Sequence, residues 1–282
     1  MSLGASLKLH KAEAPRKTLE CGPHEGKIVA FAAQKGGVGK TTSSLSVASA
    51  AARFFDKKVL VIDLDPQCHV NLAMREQVHL GGGSLSDVLM DKGAMEVEEI
   101  TTSTEVERLF ITPPDAQLTT LEDRLSGRIG KEMALRKALE ITRTHYDLIL
   151  IDCPPNIGTL TLNALAAADF VLVPTTATAL GAAGVSGLIE AVHDVREHYN
   201  SELDIMGVVL TKVDGRNART NDAVFELMDE NWGDLVVPVH IGVNDALSQA
   251  QLSGRDIYSH DPRSRAAAQY RELAAWMMER MH

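Results

Sequence analysis

Gln34-Lys35-Gly36-Gly37-Val38-Gly39-Lys40-Thr41-Thr42 stands between an apolar run at residues 28–33 and a stretch in which Leu45, Ala48, Ala52 and Phe55 recur at helical spacing. The order is strand, glycine-rich turn, amphipathic helix. Gly36, Gly37 and Gly39 let backbone N–H groups converge with no Cβ in the way, which is what the oxygens of a polyphosphate need. Lys40 is placed to reach the outer phosphates, the Thr41 hydroxyl to ligate Mg²⁺, and Val38 and Thr42 complete the nucleotide-binding set. The strict pattern GxxxxGK[ST] is missed by one residue, because Gln34 occupies its first glycine position. A second lysine, Lys35, is present instead, which is the deviant form of this phosphate loop. A glycine-rich turn with solvated lysines is the competing reading, and the flanking strand and helix weigh against it.

Working outward, β-rich apolar runs at 59–62, 109–112, 148–151, 170–173, 206–210 and 235–239 alternate with helical patterns, among them Val185, Leu188, Ile189, Val192 and Val195 on one face. Short, almost wholly apolar strands separated by helices predict a parallel sheet buried on both faces. The expected fold is therefore α/β: a single P-loop domain over 26–282 with a mostly parallel, twisted sheet and helices on both faces. Residues 1–25, with no sustained period, read as a flexible extension, and 96–108 as a polar connection.

Carboxylates at strand ends extend the site. Asp63 and Asp65 follow the run 59–62, and Asp152 follows 148–151. Ligands of open α/β sheets bind beyond the carboxyl ends of the strands, and an acid ending an apolar strand suits the metal of a Mg²⁺-nucleotide.

Composition limits the partners. Thirty-eight acidic against 28 basic side chains give a net charge of -10, so a polyanion has to meet a local basic patch. Cys21, Cys68 and Cys153 form no CxxC pair, which argues against a disulfide framework or thiolate metal site and fits a reducing cytoplasm. No apolar run reaches the roughly 20 residues of a membrane span, so a soluble protein is expected.

Together the segments QKGGVGKTT, Val61 to Gln67 (VIDLDPQ), Tyr146 to Pro155 (YDLILIDCPP), Leu160 to Leu165 (LTLNAL) and Asp261 to Arg265 (DPRSR) resemble the ParA/MinD family of deviant Walker A ATPases, most closely its ParA branch of chromosome and plasmid partition proteins. The resemblance runs from Lys27 to Met278. It implies an ATP-bound, face-to-face homodimer in which Lys35 crosses to the partner's phosphates, as an arginine finger does. It also implies catalytic roles for Lys40 and for Asp65, which would orient the attacking water. Asp63, Asp152 and Thr41 would serve Mg²⁺, residues 154–158 would form a switch loop, and adenine would rest near Thr211, Asp214 and Pro238. The implied partners are nonspecific DNA and a ParB-like or other adaptor that stimulates hydrolysis, in a nucleoid-associated cytoplasmic protein.

Two positions depart from the family pattern. Cys68 and His69 follow the DPQ segment where glycine is usual; a redox or metal role for the pair stands beside a local substitution without function. Residues 241–250 contain no Lys or Arg, where the family commonly carries basic DNA contacts. Arg216, Arg219, Arg255, Arg263 and Arg265 are the replacements available, with a merely solvated face as the alternative. A MinD-like membrane cycler is the competing function, but the last helix pairs Arg271 and Arg280 with Glu272 and Glu279 and reads as core-packing. A metal-cluster carrier lacks its paired cysteines, and ligases of this fold class match the DPQ and DCPP segments less well.

Overall fold

The structure, a computed structural model, describes residues 25–79, 81–90 and 95–281, with no side-chain description for 179–180 and 218–220. The extension expected over 1–25 lies outside the described residues except for Glu25. Strands β1 (Lys27–Phe31), β2 (Val59–Asp63), β3 (Thr102–Ser103), β4 (Leu109–Ile111), β5 (Leu148–Asp152), β6 (Phe170–Thr176) and β7 (Asp204–Thr211) form one seven-stranded sheet. Its order is β3-β4-β2-β5-β1-β6-β7. Every pairing is parallel except β3 with β4.

Alternation along the strands divides the core. Ile28 and Ala30, Leu60 and Ile62, Ile149 and Ile151 point to one face, while Val29 and Phe31, Val59 and Val61, Leu148 and Leu150 point to the other. Both sets are essentially excluded from solvent, and this two-sided burial is why the strands read as unbroken apolar runs. Helix Lys40–Phe54 covers one face beside the last helix, Arg265–Arg280, whose Tyr270, Leu273, Ala274 and Met277 are buried there. The predicted stripe of Val185, Leu188, Val192 and Val195 in helix Ala179–His198 is buried on the opposite face.

Two sequence expectations change. Residues 235–239 are not a ladder strand: Val237 N–H reaches Val208 O (2.9 Å), the next backbone bond to β7 is Ile241 N–H to Leu210 O (2.8 Å), and the bridges at Val236 and Gly242 are isolated. Pro238 explains the break, since it has no N–H to donate in the middle of a ladder. The supposedly polar connection 96–108 contains a 3₁₀ turn, Val97–Ile100, whose Val97 and Ile100 are buried, and the antiparallel edge strand β3. Among the described residues no helix is long and apolar enough to cross a membrane.

Candidate functional site

β1 lies between β5 and β6, so the strand order reverses at β1, and a crevice opens beyond the carboxyl ends at such a switch point. The turn 32–39 occupies that position. Gly37 (φ +75°) and Gly39 (φ +88°) adopt left-handed backbone, which a side chain at either place would strain. Gly36, Gly37, Gly39, Lys40, Thr41 and Thr42 line a cleft of about 1000 Å³. Val38 is buried beneath them, and its carbonyl accepts the Thr211 hydroxyl at 2.7 Å; the same hydroxyl reaches Thr175 O at 3.0 Å. The end of β7 thus clamps the turn to β6. Lys35 is exposed and Lys40 is buried.

Parallel register brings the acids together. Asp63 pairs with Asp152, and Asp152 with Phe31 at the root of the turn. Thr41 donates its hydroxyl proton to Asp152 Oδ2 at 2.6 Å, while Asp152 Oδ1 is buried with no hydrogen-bond partner among the described residues. Burial pushes the Asp152 carboxyl up to about 7, opposed by the Thr41 bond and the Lys40 charge. Burial, then the neighbouring Asp152, raises Asp63 as well. Both Asp63 oxygens accept backbone N–H groups of its own loop, from Asp65 (3.1 Å) and Val70 (3.0 Å), so Asp63 stands beside Asp152 but is turned toward the segment it fastens. Asp65 is buried and faces the cleft.

Cys68 follows at φ +51°, the left-handed region that favours glycine. Its Sγ accepts the Asp115 N–H at 3.3 Å, and burial raises the thiol above its usual range. Among the described residues no three His, Cys, Asp or Glu side chains are grouped to hold a metal ion.

The other wall holds one of the three residues expected near adenine. Thr211 lines the cleft, but Pro238 is exposed outside it, and the Asp214 carboxylate is gripped by Arg216 at 2.8 to 3.2 Å, which holds it down at about 2. Because the chain breaks at Pro238 and rejoins β7 only at Ile241, the wall is built from Ile241 to Asp245 with Leu247, Ser248 and Gln251. Gln251 donates to Thr42 Oγ1 at 2.8 Å, and Arg75 binds the carbonyls of Gln251 (3.1 Å) and Leu252. Tyr270 closes the floor, its OH 3.1 Å from Ser43 Oγ. The core-packing reading of the last helix carried no sign that Tyr270 reaches the cleft.

The five arginines are not gathered by one element. Arg216 is exposed yet paired with Asp214; Arg255, Arg263 and Arg265 are exposed; Arg219 lies near the start of helix Ala218–Trp232, and its side chain is outside the described residues.

Fold and site together define a P-loop nucleotide-binding protein of the α/β class. The family described as the AAA domain matches residues 26–205. The sporulation initiation inhibitor protein Soj of Bacillus subtilis is 39% identical over 251 residues, covering 88% of this chain and 97% of Soj. The chromosome partitioning protein ParA of Caulobacter vibrioides is 36% identical over 259 residues, 90% of this chain and 94% of that protein. A structure of cobyrinic acid a,c-diamide synthase from Mycobacterium smegmatis with a bound ATP analog and magnesium superposes with TM-score 0.75 at 28% identity, covering 91% of this chain and 96% of that one. The chain belongs to the ParA branch of the ParA/MinD family of P-loop ATPases.

Proposed function

We propose that this chain binds Mg²⁺-ATP in the cleft, pairs face to face with a second copy, holds DNA without sequence preference in that state, and so positions a chromosome, plasmid or other large cargo. A cargo-bound adaptor of ParB-like role stimulates hydrolysis and resets the cycle, and the protein works on the nucleoid in the cytoplasm. The observation that carries this reading is the convergence of Thr41, Asp152 and Asp65 under the glycine turn while Lys35, next to that turn, stays exposed.

The residues fit a metal nucleotide: an unpartnered, buried Asp152 oxygen and a hydroxyl already aimed at the same carboxylate are hard oxygen ligands. When bound, Mg²⁺-ATP supplies the phosphoryl group for transfer to water, with the metal offsetting charge on the phosphate oxygens. Thr41 and Asp152 would hold the metal, with Asp63 beside them fixing the loop 65–70. The amides of 36–42 and the Lys40 ammonium grip the phosphates; Asp65 orients water; Lys35 from the partner copy stabilises charge in trans. Thr211 flanks the base together with residues 241–245 of the same wall, and Asp214 and Pro238 complete the set that the resemblance implies. The whole chain 26–282 acts as one ATPase unit, with 1–25 as its extension.

DNA contact falls to Arg216, Arg219, Arg255, Arg263 and Arg265. Pairing two protomers doubles any such patch, which a protein of net charge -10 requires. The test is Asp65→Ala with ATP, followed by light scattering and by a salt titration on two unrelated duplexes beside anionic liposomes. The expected result is a slowly hydrolysing dimer that binds both duplexes alike. A monomer in ATP overturns the cycle, and liposome binding without DNA binding moves the protein to the MinD-like alternative.

A further inference from the structure

The stretch that leaves β4 runs behind both acidic loops of the cleft. Thr112 accepts the Asp63 N–H on Oγ1 (3.0 Å) and the Asn71 side-chain amide on its carbonyl (3.0 Å). Three residues on, the Asp115 N–H donates to Cys68 Sγ. Helix Leu118–Leu125 then presents Glu122, whose Oε1 accepts the Leu160 N–H at 3.1 Å. Leu160 is the second residue of helix Thr159–Ala167, which begins where the loop 154–158 ends. Residues 112–122 therefore fasten the loop 65–71 at one end and the loop after Asp152 at the other.

The second fastening is close. A Cβ at Gly158 would overlap Glu122 Oε1, and the Thr161 hydroxyl locks the same loop by bonding Asn156 O at 2.6 Å. At its far side the loop puts Pro155 into the cleft, its Cβ facing Gly36 of the phosphate turn. Glu122 itself is half-buried and does not line the cleft. A carboxylate accepting an N–H in the first turn of a helix makes a charge-assisted bond reinforced by the helix's positive end.

We propose that Glu122 is a positioning residue for hydrolysis, holding the loop 154–158 in register with the phosphate turn from outside the cleft. The grip of 36–42 on phosphate does not pass through Glu122, so nucleotide binding is independent of it. Turnover depends on how accurately Asp152 and its loop face the reacting phosphate, and misplacement by a fraction of an ångström is felt there. The inference rests on the ATPase reading above.

The experiment compares Glu122→Ala and Glu122→Gln with wild type by steady-state ATPase, ADP calorimetry and amide exchange over 154–162 without nucleotide. Glu122→Ala is expected to lower kcat about tenfold with KM and ADP affinity unchanged, and to speed exchange at Leu160 but not in the phosphate turn. Glu122→Gln keeps a carbonyl acceptor and is expected to recover most of kcat and of the protection. An unchanged kcat in Glu122→Ala overturns the proposal. So does a parallel loss of kcat, ADP affinity and melting temperature that glutamine does not rescue, which marks a merely structural residue. If wild type lacks ATPase activity the underlying reading fails instead, and the exchange data alone decide whether Glu122 holds the loop.

Discussion

The floor and the far wall of the cleft are built by different means. The floor, from Gly36 to Thr42 with Asp152, hangs on the ends of parallel strands whose register is set by continuous ladders through β2, β5, β1 and β6. The wall, 241–251, hangs on one backbone bond to β7, Ile241 N–H to Leu210 O, on two more with Val213 just past its end, and on side-chain contacts from Gln251 and Arg75. Groups fixed by sheet register are held to a fraction of an ångström. Groups fixed by a few polar contacts near the surface are held less tightly, and the wall carries Val243 and Ala246 in a stretch without a cation.

The largest test of this contrast is on the floor. Lys40→Ala is expected to weaken Mg²⁺-ATP binding about 100-fold or more, since it removes a buried ammonium from the phosphates; calorimetry giving wild-type affinity would dismiss the phosphate site. Next comes Asp152. Its carboxyl titrates near 7 when folded, above the ordinary value of 3.8, so the folded state takes up a proton that the unfolded chain does not hold between those limits. Nucleotide- and magnesium-free protein should therefore lose stability as pH rises from about 4 to about 7, and Asp152→Asn should flatten that slope in melting curves. Equal slopes in the two proteins would show that burial of Asp152 is not what the pH dependence reports.

On the wall the effects shrink. Gln251→Ala removes one exposed bond to Thr42 and is expected to weaken nucleotide binding about threefold, in keeping with ~0.5–1 kcal/mol for such a bond. A loss as large as that of Lys40→Ala would erase the distinction between the two sides. The smallest change is a gain: Val243→Arg should steepen the log–log salt dependence of DNA binding by about 1 per arginine engaged, leaving ATP affinity alone. No change in slope would place DNA contact away from this wall.

The same contrast governs what the sequence could tell. The phosphate turn was legible because glycine, lysine and threonine at that spacing serve one chemistry, and the strand-end acids were legible because period and polarity change together at Asp63 and Asp152. Six of the apolar runs became ladder strands. The seventh did not, because a proline within a run removes one donor, and its consequence, a return to β7 only at Ile241, depends on where the chain next finds a free carbonyl. The hold of Thr211 on Val38, and of Glu122 on Leu160, joins residues 173 and 38 positions apart. Contacts of that kind leave no local period. Cys68 is intermediate: the sequence marked it as a departure, and its left-handed backbone shows why glycine is usual there.

The two rims of the sheet have a further consequence. On one side β4 is closed by the two residues of β3, and on the other β7 gives Val208 and Leu210 carbonyls to Val237 and Ile241. A sheet blunted on both sides is a poor template for strand addition, the route by which crowded proteins grow into fibres. Any contact between copies is thereby left to side chains rather than to backbone ladders that, once zipped, have no release.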